Sequence, residues 1–159
     1  MIIRPSLDFT HRVAYLIGIP ETPNLERIEN VQECLESAKQ GLLSWGVRET
    51  EIQVFEEPYD LMDFETENLP AIEKIAQSED NKLLVFLYFK GHAVVSSMGI
   101  SFIDVNLESF LRSCATYPNV KVIGLFDCCR RDQGVTEDET DLDITSNIVC
   151  LYREKPHPI

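Results

Sequence analysis

The stretch LLVFLYF at residues 83–89 is the strongest strand signal in the chain, and the polar residues KGH at 90–92 follow it directly. A short apolar run that ends in polar residues is typical of a strand buried on both faces of a sheet. A second such run, VKVIGLF at residues 120–126, leads into DCCR at residues 127–130. Both strands are thus predicted to end next to side chains that can do chemistry.

The rest of the chain alternates predicted strands with predicted helices. Further apolar runs predict strands at residues 13–19, 51–55 and 147–152. Apolar side chains repeated every three or four residues predict helices at residues 28–45, 65–77 and 107–114. Gly46 is expected to end the first helix, and Pro70 is expected to lie in the first turn of the second. This alternation predicts an α/β fold, a three-layer sandwich in which helices cover both faces of a mostly parallel sheet.

Length and composition describe a single acidic globular domain. The chain has 159 residues, of which 44% are hydrophobic and 26% charged, and its formal net charge is −13. Such a charge disfavours binding to nucleic acid or to anionic membrane surfaces and favours basic partners. The cysteines number five and lack CxxC spacing, which argues against a disulfide framework or a zinc ribbon. Because neither a signal peptide nor an apolar run long enough to span a bilayer is found, a cytoplasmic location is predicted.

The two strongest strands place a histidine and a cysteine at one edge of the predicted sheet. One helix joins these strands, so they are expected to be parallel neighbours whose carboxyl ends meet. His92 would then lie beside Cys129, which pairs a thiol nucleophile with a base that can take its proton. Gly91 is expected to ease the turn before the histidine. A metal site built from His92, Cys128 and Cys129 fits less well, because the side chains of adjacent cysteines diverge and a fourth ligand is not apparent.

Three stretches resemble motifs of the caspase-like cysteine peptidases, the group that includes paracaspases and metacaspases. LYFKGH at residues 87–92 resembles their histidine motif, written YFSGHG or YYAGHG. VIGLFDCCR at residues 122–130 resembles their cysteine motif, D-x-C. ITSNIVCLY at residues 144–152 resembles the paracaspase strand VTANIVFGY. The resemblance runs over residues 13–152 and is closest to the paracaspases, so a caspase-like fold is expected.

The resemblance implies a role for each matching residue. His92 matches the catalytic histidine, and Cys129 matches the nucleophile, with Cys128 as the spacer of the D-x-C motif. Asp127 matches an aspartate that in paracaspases lines the pocket for a basic side chain at P1, the residue before the cleaved bond. The backbone N–H groups of Ala93 and Cys129 are expected to form the oxyanion hole. These roles imply a cysteine endopeptidase that acts on protein or peptide substrates and needs no cofactor or metal ion.

Departures from the family leave the P1 preference and the level of activity open. Ala93 replaces the glycine that follows the family histidine, and Cys34 lies where paracaspases carry a further acidic residue of the basic pocket. Arg27 lies near the position at which caspases bind an aspartate at P1, so Asp127 favours a basic P1 residue and Arg27 an acidic one. The basic preference is the stronger expectation, since Asp127 belongs to the cysteine motif. The alternative is a catalytically weak or inactive domain that acts as a regulatory protein-binding module.

The resemblance also implies a division of the chain. Residues 1–130 match the large-subunit region, residues 131–146 form an acidic linker of the kind found between subunits, and residues 147–159 match the start of the small-subunit region. The linker is expected to be poorly ordered and sensitive to proteases. Family members continue further, so the caspase-like fold is expected to be truncated at its C-terminus. A homodimer and a regulatory protein partner are both open at this level.

Overall fold

The computed structural model describes the backbone of residues 8–21, 26–96, 99–101, 107–132 and 148–154, and the side chains of residues 8–21, 26–92 and 107–127. Its main elements in chain order are β1 (His11–Gly18), α1 (Val31–Ser44), β2 (Ile52–Phe55), α2 (Phe64–Ala76), β3 (Leu83–Ser96), β4 (Gly99–Ser101), α3 (Leu107–Ala115), β5 (Val120–Asp132) and β6 (Ile148–Glu154). Two short 3-10 helices, Glu49–Glu51 and Pro58–Leu61, precede β2 and α2. Every predicted strand and helix is therefore present, and β4 is an addition.

The sheet is parallel along its main path. Its strands lie in the order β2-β1-β3-β5-β6, and β4 pairs antiparallel with β3. The two strongest strand signals, β3 and β5, are parallel neighbours along a ladder that begins at Leu83 and Val120. Their adjacency, expected from the single helix that connects them, is confirmed.

Helices cover both faces of the sheet. α1 packs on one face, where Val31, Leu35 and Leu42 are buried together with Leu16 and Phe86. α2 and α3 pack on the opposite face, over a core that includes the rings of Tyr15, Phe64 and Phe110. These three rings meet edge to face at centroid separations of 5.0 to 5.7 Å, a favoured geometry for aromatic pairs. The predicted α/β three-layer sandwich with a mostly parallel sheet is confirmed.

Both ends of α1 are set by left-handed backbone conformations. Gly46 has a φ of 91°, so the prediction that this glycine ends the helix is confirmed. Asn30 has a φ of 62°, and α1 consequently begins at Val31, later than the pattern of apolar residues predicts. Among the residues that the structure describes, no helix is long and apolar enough to cross a membrane.

Two local predictions are wrong. β3 extends to Ser96 and β5 to Asp132, because the backbone ladder continues through polar residues beyond the two apolar runs. Gly91 therefore lies within β3 and not in a turn. Pro70 lies in the middle of α2 and not in its first turn, where its missing N–H would cost nothing. Burial of the apolar face of α2 compensates for the donor that Pro70 lacks.

Candidate functional site

The ladder between β3 and β5 aligns the residues expected to carry the chemistry. His92 is the register partner of Cys129, and Lys90 is the register partner of Asp127. Register partners on neighbouring strands lie about 5 Å apart at their Cα atoms. The structure thus brings the backbones of His92 and Cys129 together at the carboxyl end of two parallel strands, as expected. Both residues lie inside strands and not in the loops that follow them.

A backbone carbonyl orients the imidazole ring of His92. The Nε2 atom lies 2.6 Å from the carbonyl oxygen of Glu26, and the side chain is half-buried. A carbonyl oxygen can only accept a hydrogen bond, so Nε2 carries the proton and donates it. In the neutral ring this leaves Nδ1 as the basic nitrogen. Sequence reasoning missed Glu26, because its contribution comes from the main chain and leaves no signal in residue type.

Asp127 already has a cationic partner within the chain. The Nζ atom of Lys90 lies 3.2 Å from Oδ2 of Asp127, and the hydroxyl of Tyr88 makes a longer contact of 3.5 Å with the same oxygen. Lys90 also lies 3.3 Å from the sulfur of Cys34 on α1. Both charged side chains are largely buried, with 9% of Lys90 and 15% of Asp127 exposed. The pair was missed because Lys90 was expected to follow a strand and not to belong to it.

The surroundings of Lys90 and Tyr88 determine the charge of each at neutral pH. Burial acts to lower the pKa of Lys90, but its hydrogen bonds to Cys34 and Asp127 outweigh that effect and raise the pKa above its ordinary value. Burial and the negative charge of Asp127 both raise the pKa of Tyr88. At neutral pH Lys90 is therefore a cation and Tyr88 is a neutral hydrogen-bond donor.

A cavity of about 760 Å³ opens beside this pair, between α1 and the strands β3 and β5. Its wall is mostly apolar and includes Leu42, Trp45, Phe86, Tyr88, Cys34 and Asp127. Trp45 is 67% exposed and borders the open side of the cavity. Asp127 thus faces space that a side chain of another molecule can enter, which a binding role requires.

The other expected site residues stand as follows. Arg27 is 70% exposed and pairs with Glu21 at 3.1 Å, on the surface. The backbone of Ala93 is the register partner of Arg130, and its role in an oxyanion hole stays a prediction. Of the expected linker at 131–146, Arg131 and Asp132 belong to β5, and the remainder lies outside the described residues. Across the described parts of the chain, no three histidine, cysteine, aspartate or glutamate side chains are grouped to hold a metal ion.

Comparison with solved structures gives a likeness of fold. No family model and no curated protein matches the chain. Among solved structures, the chain is similar to the structure of pro-sf-caspase-1, with a TM-score of 0.47 and 14% sequence identity. The similarity covers 92% of this chain and 62% of that chain, so this chain spans less than two thirds of its length. The likeness is to a caspase fold, and the closer resemblance to paracaspases and metacaspases stays a prediction.

Proposed function

We propose that this chain is a caspase-like cysteine endopeptidase domain with Cys129 as nucleophile and His92 as general base. The observation that carries the proposal is the β3–β5 register, which makes these two residues partners on neighbouring strands. The hydrogen bond from His92 Nε2 to the carbonyl of Glu26 supports it, since that bond leaves Nδ1 unprotonated.

The proposed reaction uses side chains, backbone N–H groups and water. Nδ1 of His92 takes the proton of the Cys129 thiol, and the thiolate attacks the carbonyl carbon of the cleaved bond. The N–H groups of Ala93 and Cys129 stabilise the negative oxygen of the tetrahedral intermediate. The C–N bond then breaks, and His92 gives its proton to the leaving amine. Water attacks the resulting thioester, releases the acid product and restores the thiol.

The proposed substrates are proteins or peptides with a basic residue at P1. Asp127 supports this preference, because it lies in the wall of the cavity next to the β3–β5 edge. Arg27 would favour an acidic P1 residue, but its guanidinium already pairs with Glu21 and is mostly exposed to solvent. The proposal further includes a linker at residues 131–146, a cytoplasmic site of action where thiols stay reduced, and a homodimer or regulatory partner.

Covalent labelling with a tagged peptide fluoromethyl ketone that carries Arg at P1 tests the proposal. We expect labelling at Cys129, its loss in Cys129→Ala, and its retention in the matched control Cys128→Ala. His92→Ala should slow labelling by about a hundredfold or more, the range for loss of a general base. If folded protein is not labelled, or is labelled equally well without His92, the proposal fails and the regulatory, inactive domain becomes the better description.

A further inference from the structure

Lys90 forms an ion pair with Asp127, the residue whose carboxylate is proposed to bind the P1 side chain of the substrate. Tyr88 and Lys90 are two positions apart along β3 and therefore lie on one face of the sheet, where both reach Oδ2 of Asp127. The Lys90 side chain is nine-tenths buried, and its ammonium also contacts the sulfur of Cys34. Lys90 is thus a buried residue held by two residues of the cavity wall, Asp127 and Cys34, and is not a surface charge.

We propose that Lys90 is a specificity-determining residue, which neutralises Asp127 and makes the P1 pocket select hydrogen-bond donors more than positive charge. The inference rests on the proposed function, because it assumes that Asp127 contacts the P1 side chain. It goes beyond that function by assigning to Lys90 a role that the motif resemblance does not imply.

Charge balance in the pocket supports the proposal. Asp127 and Lys90 together carry no net charge, so a guanidinium that reaches Asp127 from the cavity also approaches the ammonium, which lies 3.2 Å behind Oδ2 of that carboxylate. Repulsion from Lys90 then offsets part of the attraction by Asp127, since the two opposite charges lie only 3.2 Å apart in a partly desolvated site. Expelling Lys90 would leave its ammonium without the two partners that compensate for burial.

Asp127 can still accept a hydrogen bond from the P1 side chain when Lys90 has neutralised its charge. Among the side chains that the structure describes, Tyr88 and Lys90 both contact Oδ2 of Asp127, and a carboxylate accepts hydrogen bonds on each of its oxygens. Oδ1 of Asp127 can therefore accept an N–H from a P1 side chain. A neutral donor such as the urea group of citrulline satisfies this acceptor as well as the guanidinium of arginine, without adding a second cation beside Lys90.

The test compares labelling rates of two tagged peptide fluoromethyl ketones that differ only in arginine or citrulline at P1. We expect similar rates in the wild-type protein. Lys90→Met, and the milder Lys90→Gln that keeps donors for Asp127, should raise the arginine-over-citrulline ratio by about tenfold. Adding Asp127→Asn should return the ratio to its wild-type value. Lys82→Met is the matched control, because it removes another lysine–aspartate pair, with Asp8, at the opposite end of β3.

Each outcome decides between the inference and the proposed function. A ratio that rises in the Lys90 variants and falls with Asp127→Asn supports the inference, since general structural damage lowers both rates and leaves the ratio unchanged. A wild-type protein that already prefers arginine by tenfold overturns it, even if the variants do not fold, and so does an unchanged ratio in folded variants. Failure of both probes at Cys129, in folded protein whose thiol reacts with iodoacetamide, removes the proposed function and the inference with it.

Discussion

Gly91→Ala is expected to destabilise the protein, because the residue next to His92 has no room for a methyl group. An added Cβ would lie 2.9 Å from Cζ of Phe89 and 3.3 Å from the carbonyl oxygen of Ile19. The Phe89 ring is fully buried, with the Phe126 ring at a centroid distance of 6.5 Å, and Ile19 contributes main chain. Neither neighbour can yield cheaply. Overpacking costs about 1–3 kcal/mol, and replacing a glycine within a strand returns about 0.5–1 kcal/mol. We therefore expect a net loss of about 0.5–2 kcal/mol in the free energy of unfolding.

Urea unfolding of Gly91→Ala measures this effect, and Gly41→Ala, which is expected to change stability in the opposite direction, is the control. Gly41 lies in α1, and a Cβ added there meets nothing within 4 Å. Gly41→Ala should accordingly stabilise the protein by about 0.5–1 kcal/mol, the difference in helix propensity. A Gly91→Ala protein as stable as the wild type, together with a Gly41→Ala protein that gains stability, would contradict this expectation. In that case the close approach of Phe89 does not limit this position.

Further predictions concern alkaline stability, P1 selectivity and proteolysis. Burial raises the pKa of the Cys114 thiol from 9.0 to about 12, so the stability linked to its protonation is present below pH 9.0 and is lost as the pH rises towards 12. Between about pH 8 and pH 10.5, the free energy of unfolding measured with urea should fall by about 2 kcal/mol less in Cys114→Ala than in the wild type. Arg27→Ala should leave the relative labelling by arginine and aspartate probes unchanged, because the guanidinium is exposed and bound to Glu21; a changed ratio would place Arg27 in the pocket. Limited proteolysis should cut first within residues 131–146, and a first cut elsewhere would contradict the expected linker.

The fold follows from sequence to the extent that burial determines it. The runs at residues 83–89 and 120–126 form strands because seven-residue apolar segments gain most when both faces of a sheet are covered. The ends of the same strands are not predictable in this way. Past Phe89 and Phe126 the ladder continues through polar residues, and its energy comes from paired backbone groups that every residue type carries.

In the candidate site too, some features can be predicted from residue types, and others depend on the register of the strands. The pattern of strands and the motif resemblance were enough to predict that His92 lies near Cys129. The pairing of Lys90 with Asp127 required the exact alignment of two strands, because a slip of one residue would turn Lys90 to the other face. Predicting the contact of the Glu26 carbonyl with His92 would have required the path of the chain before α1, which no periodic pattern describes.

The alignment at the site does not depend on the ion pair within it. A buried ion pair adds little net stability, because the cost of desolvating two charges offsets their attraction. The register of β3 against β5 is instead determined by core residues such as Leu87 and Phe126, because a one-residue slip would turn them from a fully buried face to the α1 face, where Leu125 is only half-buried. Replacing Lys90 should therefore change the charge of the pocket and leave the partnership of His92 with Cys129 in place. For this reason a change in P1 selectivity in the Lys90 variants can be assigned to charge and not to a shifted strand.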